Sequence, residues 1–372
     1  MTAACSLLLT GGTGFVGAGI AEALARHGRL ADTLFLVRAP DAAAGLQRLR
    51  DHLARFDVPP AALAALTPRQ ILCGDLTAVA AFAADPRLAD VTHVIHCAAL
   101  ATFSNNPQIW AHNVEGTLAL AHALRAHARL QRWVQVGTAM CCGPGLASPV
   151  HESWEAGRSD ASHLVPYTRS KLAVELALRD LPDFPLVVAR ASIVVGHSRL
   201  GCAPSPSIFW VFRMAFALER FTCAPEDCID VIPADWCGAA LVHLALKPQL
   251  AHDLYHVSAG GISARRFVEI DTAYAAANGT PPVAPRYACV AVDDLRSLVP
   301  LFEERLGRVN RLLILRALTL YGAFARLNYV FDNQRLLAEG MAPAPAFTDY
   351  LPECVRTSAG IPMTEQMAYD FK

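Results

Sequence analysis

The sequence predicts an α/β fold with a doubly wound parallel sheet and a smaller, mainly helical region. Short apolar runs alternate with segments of helical length in the first half of the chain, and the first run leads into a glycine-rich turn. Helical periodicity dominates from residue 262 onwards. The predicted strands are residues 6–9, 33–37, 70–73, 93–96, 133–136 and 186–189, and the predicted helices include residues 15–26, 41–55 and 106–127.

Composition excludes several classes of protein. The 372 residues are 53% hydrophobic and 17% charged, and the net charge of -1 excludes a nucleic-acid binder that relies on phosphate contacts. Residues 1–9 lack a basic start, so they predict a strand rather than a signal peptide, and no apolar run reaches the length of a membrane span. The 11 cysteines are scattered without CxxC pairs, which indicates a reduced, cytoplasmic protein without a metal site; a zinc site or a disulfide is the alternative.

The first predicted strand ends in a turn of the dinucleotide-binding type. Residues 7–17 read LLLTGGTGFVG. Gly11 suits the tight turn, Gly14 lets the backbone approach a pyrophosphate, and Gly17 lets the following helix pack close to the strand. Because free N–H groups at the start of a helix bind phosphate, the turn predicts a Rossmann-type cofactor site. Its expected contacts are Gly11, Thr13, Gly14, Phe15, Val16 and Gly17.

The residue after the second strand predicts which dinucleotide is bound. Sites that prefer NAD carry Asp or Glu there, to hold the ribose 2′-hydroxyl. This chain has Arg38, whose guanidinium suits a 2′-phosphate by charge and by its fork of donors. We therefore predict NADP(H); the alternative is a solvated arginine at the end of a strand.

The pattern changes after residue 196, which suggests a second region. Residues 197–230 are rich in Pro, Cys and Phe, and residues 231–260 return to strand–helix–strand character. We predict an NADP(H)-binding core formed by residues 1–197 and 231–262, and a substrate-binding region formed by residues 198–230 and 263–372.

A tyrosine and a lysine four residues apart predict acid–base chemistry. Tyr167 and Lys171 would share one face of a helix, where the ammonium is expected to lower the pKa of the phenol. Thr138 follows the strand at 133–136, at the edge of a parallel sheet where ligands bind. Its hydroxyl could hold a carbonyl oxygen beside Tyr167. This order and spacing, together with the glycine turn, favours a nicotinamide-dependent oxidoreductase.

At these residues the chain resembles the extended short-chain dehydrogenase/reductases. Further matches are Gly-Asp-Leu at 74–76, His-Cys-Ala-Ala at 96–99, Asn-Val-Glu-Gly-Thr at 113–117 and Asp-Val-Ile-Pro-Ala-Asp at 230–235. The resemblance implies that Asp75 and Leu76 flank the adenine and that Ala98 and Ala99 line the cofactor trough. It implies that Thr138, Tyr167 and Lys171 are catalytic, while Asn113 matches a helix position that would be structural.

Within that superfamily the chain resembles the branch of acyl-thioester reductases, which includes male-sterility-type fatty acyl-CoA reductases and the terminal reductase domains of carboxylic acid reductases and peptide synthetases. The matching positions are residues 36–39 with 48–49, Phe103, Ser170 and Glu175 around Lys171, residues 190–196, 329–333 and 347–351. The chain departs from the branch at Gly137, where Ser is usual, and at Cys142 and Ala191.

The branch implies NADPH-dependent reduction of an acyl thioester to an aldehyde or an alcohol. The acyl group would arrive on coenzyme A or on an acyl carrier protein, with no obligate protein partner. The same catalytic group would serve a ketone or alcohol oxidoreductase of the hydroxysteroid or flavonol-reductase kind. A non-catalytic NADPH-binding protein is the third alternative.

Two segments bear on the substrate. Residues 207–216 are strongly apolar and would either line an acyl channel or pack in the core. Residues 305–326 place five arginines among leucines, which predicts one amphipathic helix with a solvated basic face. The alternatives for that face are docking of an acidic carrier or of the coenzyme's phosphates, and peripheral contact with a membrane surface.

Overall fold

The computed structural model describes residues 6–127, 129–158 and 163–368. Its strands, in chain order, are β1 (Leu7–Thr10), β2 (Thr33–Val37), β3 (Ile71–Cys73), β4 (His93–His96), β5 (Arg132–Thr138), β6 (Leu186–Ala191), β7 (Ile193–Val194), β8 (Arg220–Phe221), β9 (Cys228–Ile229), β10 (Val231–Ile232), β11 (Leu254–Val257), β12 (Arg265–Arg266) and β13 (Ala288–Cys289).

The helices, in chain order, are α1 (Phe15–Arg26), α2 (Ala42–Leu53), α3 (Pro60–Ala65), α4 (Gln108–Trp110), α5 (Gly116–His127), α6 (Pro166–Arg179), α7 (Phe209–Leu218), α8 (Ala234–Leu246), α9 (Gly260–Ser263), α10 (Phe267–Asn278), α11 (Val299–Leu306), α12 (Arg311–Ala325), α13 (Gln334–Ala338), α14 (Phe347–Ser358) and α15 (Met363–Ala368).

Seven strands form one parallel sheet in the order β11-β6-β5-β4-β1-β2-β3. The order reverses at β1, where Thr10 pairs with Leu36 of β2 on one side and with His96 of β4 on the other. Because the chain leaves β1 towards β2 and leaves β4 towards β5, in opposite directions along the sheet, a crevice opens at the carboxyl ends of β1 and β4. The predicted fold class, a Rossmann-type doubly wound sheet, is confirmed.

Apolar residues cover both faces of the sheet. Leu7 and Leu9 of β1 belong to a cluster that includes α1 and α8, whereas Leu8 belongs to a cluster on the opposite face. This alternation explains why the strands read as unbroken apolar runs. A third cluster lies among α7, α10, α12 and α14.

The predicted helix at residues 106–127 is divided into three parts. A π-helical turn (Ala111–Glu115) separates α4 from α5. Within this wider turn, the Asn113 side chain bonds both backbone groups of Leu100 and donates to Ser170 Oγ at 3.0 Å. The structural role expected for Asn113 therefore has a physical basis: it joins the π turn, α6 and the segment after β4.

The prediction of one helix over residues 305–326 is wrong. α11 ends at Leu306 because Gly307 has a positive φ of 75°, and α12 begins after Asn310, whose side chain accepts from the Leu313 N–H at 3.1 Å.

The division into core and substrate-binding regions stays a prediction, and its outermost residues, 1–5 and 369–372, lie outside the described residues. Along the described residues, no helix is both long enough and apolar enough to cross a bilayer.

Candidate active site

A cavity of about 490 Å³ lies at the carboxyl edge of the sheet, over the crevice between β1 and β4. The structure brings every predicted site residue to its wall. These residues are Gly11, Thr13, Gly14, Phe15, Val16, Gly17, Arg38, Asp75, Leu76, Ala98, Ala99, Thr138, Tyr167 and Lys171. The wall also includes Arg48, His112 and Ser192, which the sequence did not single out as site residues.

The glycine turn forms one end of the cavity. Gly11 has a φ of +76°, and a Cβ on it would lie 2.7 Å from the Ala98 nitrogen. A Cβ on Gly17 would lie 2.0 Å from the Gly11 carbonyl oxygen, so α1 packs directly on the turn. Gly14 precedes α1, and no described side chain caps this helix start. Its first N–H groups are therefore available to an anion.

Two arginines stand at the end of β2. Arg38 is 66% exposed, and its Nη1 lies 3.8 Å from Asp75 Oδ2. Arg48, from α2, donates through Nη1 to the Arg38 carbonyl oxygen at 2.7 Å. Desolvation acts to raise the pKa of Asp75, but donors from Thr77, with His112 and Arg38, hold it below its ordinary value. This corner of the cavity therefore holds a carboxylate beside two guanidinium groups.

The catalytic candidates meet at the opposite end of the cavity. Thr138 ends β5, and its hydroxyl oxygen lies 3.4 Å from the Met140 nitrogen. Tyr167 and Lys171 lie one turn apart on α6, which begins at Pro166, a residue suited to the first turn of a helix. Ser170 ties this turn to Asn113, as described above.

The expected direction of the Tyr167 pKa shift is wrong. Burial is the largest cause and raises the pKa of the phenol above its ordinary value, and Cys97, Cys141 and Glu175 raise it further. Burial also lowers the pKa of Lys171, while Glu175 acts to raise it. This direction favours the neutral phenol, which is the form that can donate a proton.

A second, apolar cavity of about 280 Å³ adjoins the first. Ala101, Thr138, Tyr167, Ser192 and Val194 line both cavities. The second cavity continues between α7, α12 and the segment after β8, and its apolar lining includes Phe103, Ile208, Val211, Phe212, Ala215, Phe221, Phe267, Tyr321, Phe324, Leu327 and Tyr329. The hydroxyls of Thr138 and Tyr167 thus stand where a polar trough meets an apolar pocket.

Residues 207–216 are divided between a cavity wall and the core, and a role in an acyl channel stays a prediction. Ile208 and Phe212 face the apolar cavity, whereas Phe209, Trp210 and Met214 pack in the third cluster. One side of α7 therefore lines the cavity and the other side fills the core.

Two arginines of residues 305–326 form ion pairs with glutamates. Arg311 pairs with Glu303, Arg305 with Glu304, and Leu312 beside them is largely exposed. The role of this face stays open between a solvated surface and a docking site.

Cysteines and histidines form no metal site in the part of the chain that the structure describes. Ten cysteines there are free thiols, and Cys5 lies outside the described residues. No group of three metal-ligating side chains is present among these residues. His96 packs on Trp133 and bonds Thr10 and Thr117, so it belongs to the core.

Comparison with known proteins identifies the family of the chain. Residues 9–241 match the family model described as male sterility protein, an NAD-binding domain. The chain is 26% identical over 326 residues to the non-canonical nonribosomal peptide synthetase FrzA of a Cladobotryum species, an alignment that covers 80% of this chain and 31% of that protein. It is 28% identical over 271 residues to the aldehyde reductase lnaA of Aspergillus flavus, covering 68% of this chain and 25% of that protein. The aligned part is thus less than a third of each relative's length.

A solved structure shares the fold. The terminal R domain from the myxalamid PKS-NRPS biosynthetic pathway superposes with a TM-score of 0.75 at 23% identity, covering 96% of this chain and 91% of that domain.

Proposed function

Since the chain belongs to the male sterility protein family and is an oxidoreductase of the extended short-chain dehydrogenase/reductase type, we propose that it reduces an acyl thioester with NADPH. The product is an aldehyde, or an alcohol after a second reduction. The observation that carries this proposal is the position of Thr138, Tyr167 and Lys171 where the dinucleotide-sized trough meets an apolar pocket.

NADPH is favoured over NADH by the corner at Arg38. Two guanidinium groups, from Arg38 and Arg48, stand where the ribose of the adenine half would lie, at the end of β2. A 2′-phosphate there would receive charge-assisted hydrogen bonds. The carboxylate of Asp75 lies 3.8 Å from Arg38, so it competes with a phosphate for this guanidinium. Arg48 supplies a second guanidinium for the phosphate.

The apolar cavity favours an acyl substrate. Rings of Phe103, Tyr321 and Phe324 pack with centroids 4.9–5.0 Å apart along its wall. An apolar chain would lie among these rings while its carbonyl meets the two hydroxyls at the junction. The relatives that are named as a peptide synthetase and a terminal R domain favour a donor on a carrier protein, and coenzyme A is the alternative donor.

The residues perform the chemistry as follows. NADPH, when held by the glycine turn and the arginines at the end of β2, would supply a hydride to the carbonyl carbon. Thr138 and Tyr167 then stabilise the negative charge that develops on the oxygen. Tyr167 donates its proton to that oxygen, and the buried ammonium of Lys171 favours the resulting phenolate. The hemithioacetal breaks its C–S bond to give one aldehyde and one thiol, with one NADPH and one proton consumed.

The test uses the purified protein with NADPH and a series of acyl thioesters on coenzyme A, pantetheine and a carrier protein. Equal amounts of NADPH oxidised, free thiol released and aldehyde formed are expected, and two NADPH per thiol if the alcohol is the product. Oxidation of NADPH with ketones alone would assign a ketone reductase instead. Binding of NADPH without turnover of any carbonyl substrate would reject an enzymatic role.

A further inference from the structure

A buried ion pair lies directly behind the catalytic group. Glu175 of α6 and Arg190 of β6 are 0% and 1% exposed, and Arg190 Nε donates to Glu175 Oε2 at 2.9 Å. Arg190 also donates through Nη1 to the Ser153 carbonyl oxygen at 2.9 Å, which fixes the guanidinium from a second side. Burying two charges costs desolvation energy that the pair rarely exceeds. Stability alone therefore does not account for this pair.

The carboxylate of this pair lies on the same helix as the catalytic candidates. Tyr167, Lys171 and Glu175 follow one another at intervals of four residues, so they occupy one face of α6. The second carboxylate oxygen, Glu175 Oε1, is buried and accepts no hydrogen bond from the described residues. It points to the end of β5, because a Cβ on Gly137 would lie 2.2 Å from it. Gly137 directly precedes Thr138, so this oxygen lies between the lysine turn and the strand end.

We propose that Glu175, held in place by Arg190, is a positioning residue that acts through Lys171: its negative charge, one turn along α6, keeps the ammonium charged. This inference rests on the proposed function. Lys171 is itself buried, and burial disfavours its charged form. Glu175 is the carboxylate that opposes this effect. The titratable groups around Lys171 and Glu175 are Tyr167, His96, Cys97, Cys141 and Arg190.

The same contact explains why this chain has glycine at position 137, where the branch usually has serine. A side chain at this position would meet Glu175 Oε1 at 2.2 Å and Arg190 Cγ at 3.1 Å. Because both partners are buried, neither can move away freely. Glycine at position 137 leaves room for the carboxylate against the strand, and the serine usual in the branch would have to displace it.

The experiment measures the pH dependence of kcat for Glu175→Gln, which removes the charge and keeps the size. We expect the basic limb, where Lys171 loses its proton, to move to lower pH by about one unit, since a neighbouring opposite charge shifts a pKa by roughly 1–3 units. The variant Glu175→Asp should return the limb towards its wild-type position. The matched control is Glu22→Gln, another fully buried and ion-paired carboxylate, on α1, whose loss should leave the limb in place.

The outcomes separate this inference from the proposed function. If none of the thioesters supports NADPH oxidation by the wild-type protein, the proposed function fails. If the wild type is active and Glu175→Gln is folded but its basic limb coincides with the wild-type limb, Glu175 is merely structural and the inference is overturned. If Glu175→Gln does not fold, Glu175→Gln with Arg190→Met removes both charges, and its limb must still move to lower pH. A limb that stays in place there overturns the inference as well.

Discussion

Substitution of Arg38 provides the sharpest test of cofactor choice. In Arg38→Ala, the 2′-phosphate of NADPH loses one guanidinium, while NADH, which has no such phosphate, loses little. A hydrogen bond to a charged group contributes about 1.5–3 kcal/mol. Arg38 is 66% exposed and lies 3.8 Å from Asp75 Oδ2, so solvent and the competing carboxylate place its contribution near the lower value. About 1.5 kcal/mol corresponds to a roughly tenfold loss of NADPH affinity.

The second arginine increases the expected effect. Arg48 bonds the Arg38 carbonyl oxygen and lines the same cavity, so it retains part of the phosphate site in the single variant. The double variant with Arg48→Ala should lose roughly 30- to 140-fold, if the two contributions of about 1–1.5 kcal/mol add. Arg38→Asp should go further and reverse the preference, because a carboxylate repels the phosphate and can hold a 2′-hydroxyl.

The assay compares kcat/KM for NADPH and for NADH, together with binding of each cofactor without substrate. Arg55→Ala is the matched control, because Arg55 is an exposed arginine of the same region that does not line the cavity. Its ratio of NADPH to NADH should equal that of the wild type. A wild-type ratio in Arg38→Asp would refute the assignment of this corner to the 2′-phosphate.

Three further predictions concern the catalytic group, the acyl pocket and the basic face. Tyr167→Phe removes the proton donor and keeps the ring, so kcat should fall roughly 10²- to 10⁴-fold with NADPH binding nearly unchanged; a small loss of kcat would contradict the role of the phenol. Val211→Phe narrows the apolar cavity and should raise KM for the longest acyl groups while short ones react normally, as a chain-length series would show. Reversing the charges of Arg308 and Arg311 to Glu should raise KM for a carrier-bound thioester but not for the same acyl group on pantetheine, and an equal KM for both proteins would remove the docking hypothesis.

The parts of the fold that local sequence determines could be predicted from it. α1 occupies residues 15–26 as predicted, because the glycine turn fixes where the helix begins. β2 and β4 also have their predicted bounds. The missed break at Gly307 had a local signal as well, a glycine followed three residues later by the capping residue Asn310.

Features that arise only from tertiary contacts could not be predicted. The apolar cavity is assembled from segments between Ala101 and Tyr329 that are far apart in the chain. His112 reaches the cofactor trough because the π turn rotates it there. Sequence spacing showed that Lys171 is near Tyr167, but it did not show that Lys171 is buried and Tyr167 partly buried.

The environment of Tyr167 and Lys171 bears on the proposed reduction. Desolvation favours the neutral form of each residue, so it raises the pKa of Tyr167 and lowers the pKa of Lys171. A neutral phenol can donate its proton to a carbonyl oxygen that gains electron density, which is the step that reduction requires. In the proposed mechanism the ammonium stays charged to stabilise the phenolate left behind, and Glu175, paired with Arg190, is the buried carboxylate that acts against the desolvation of Lys171.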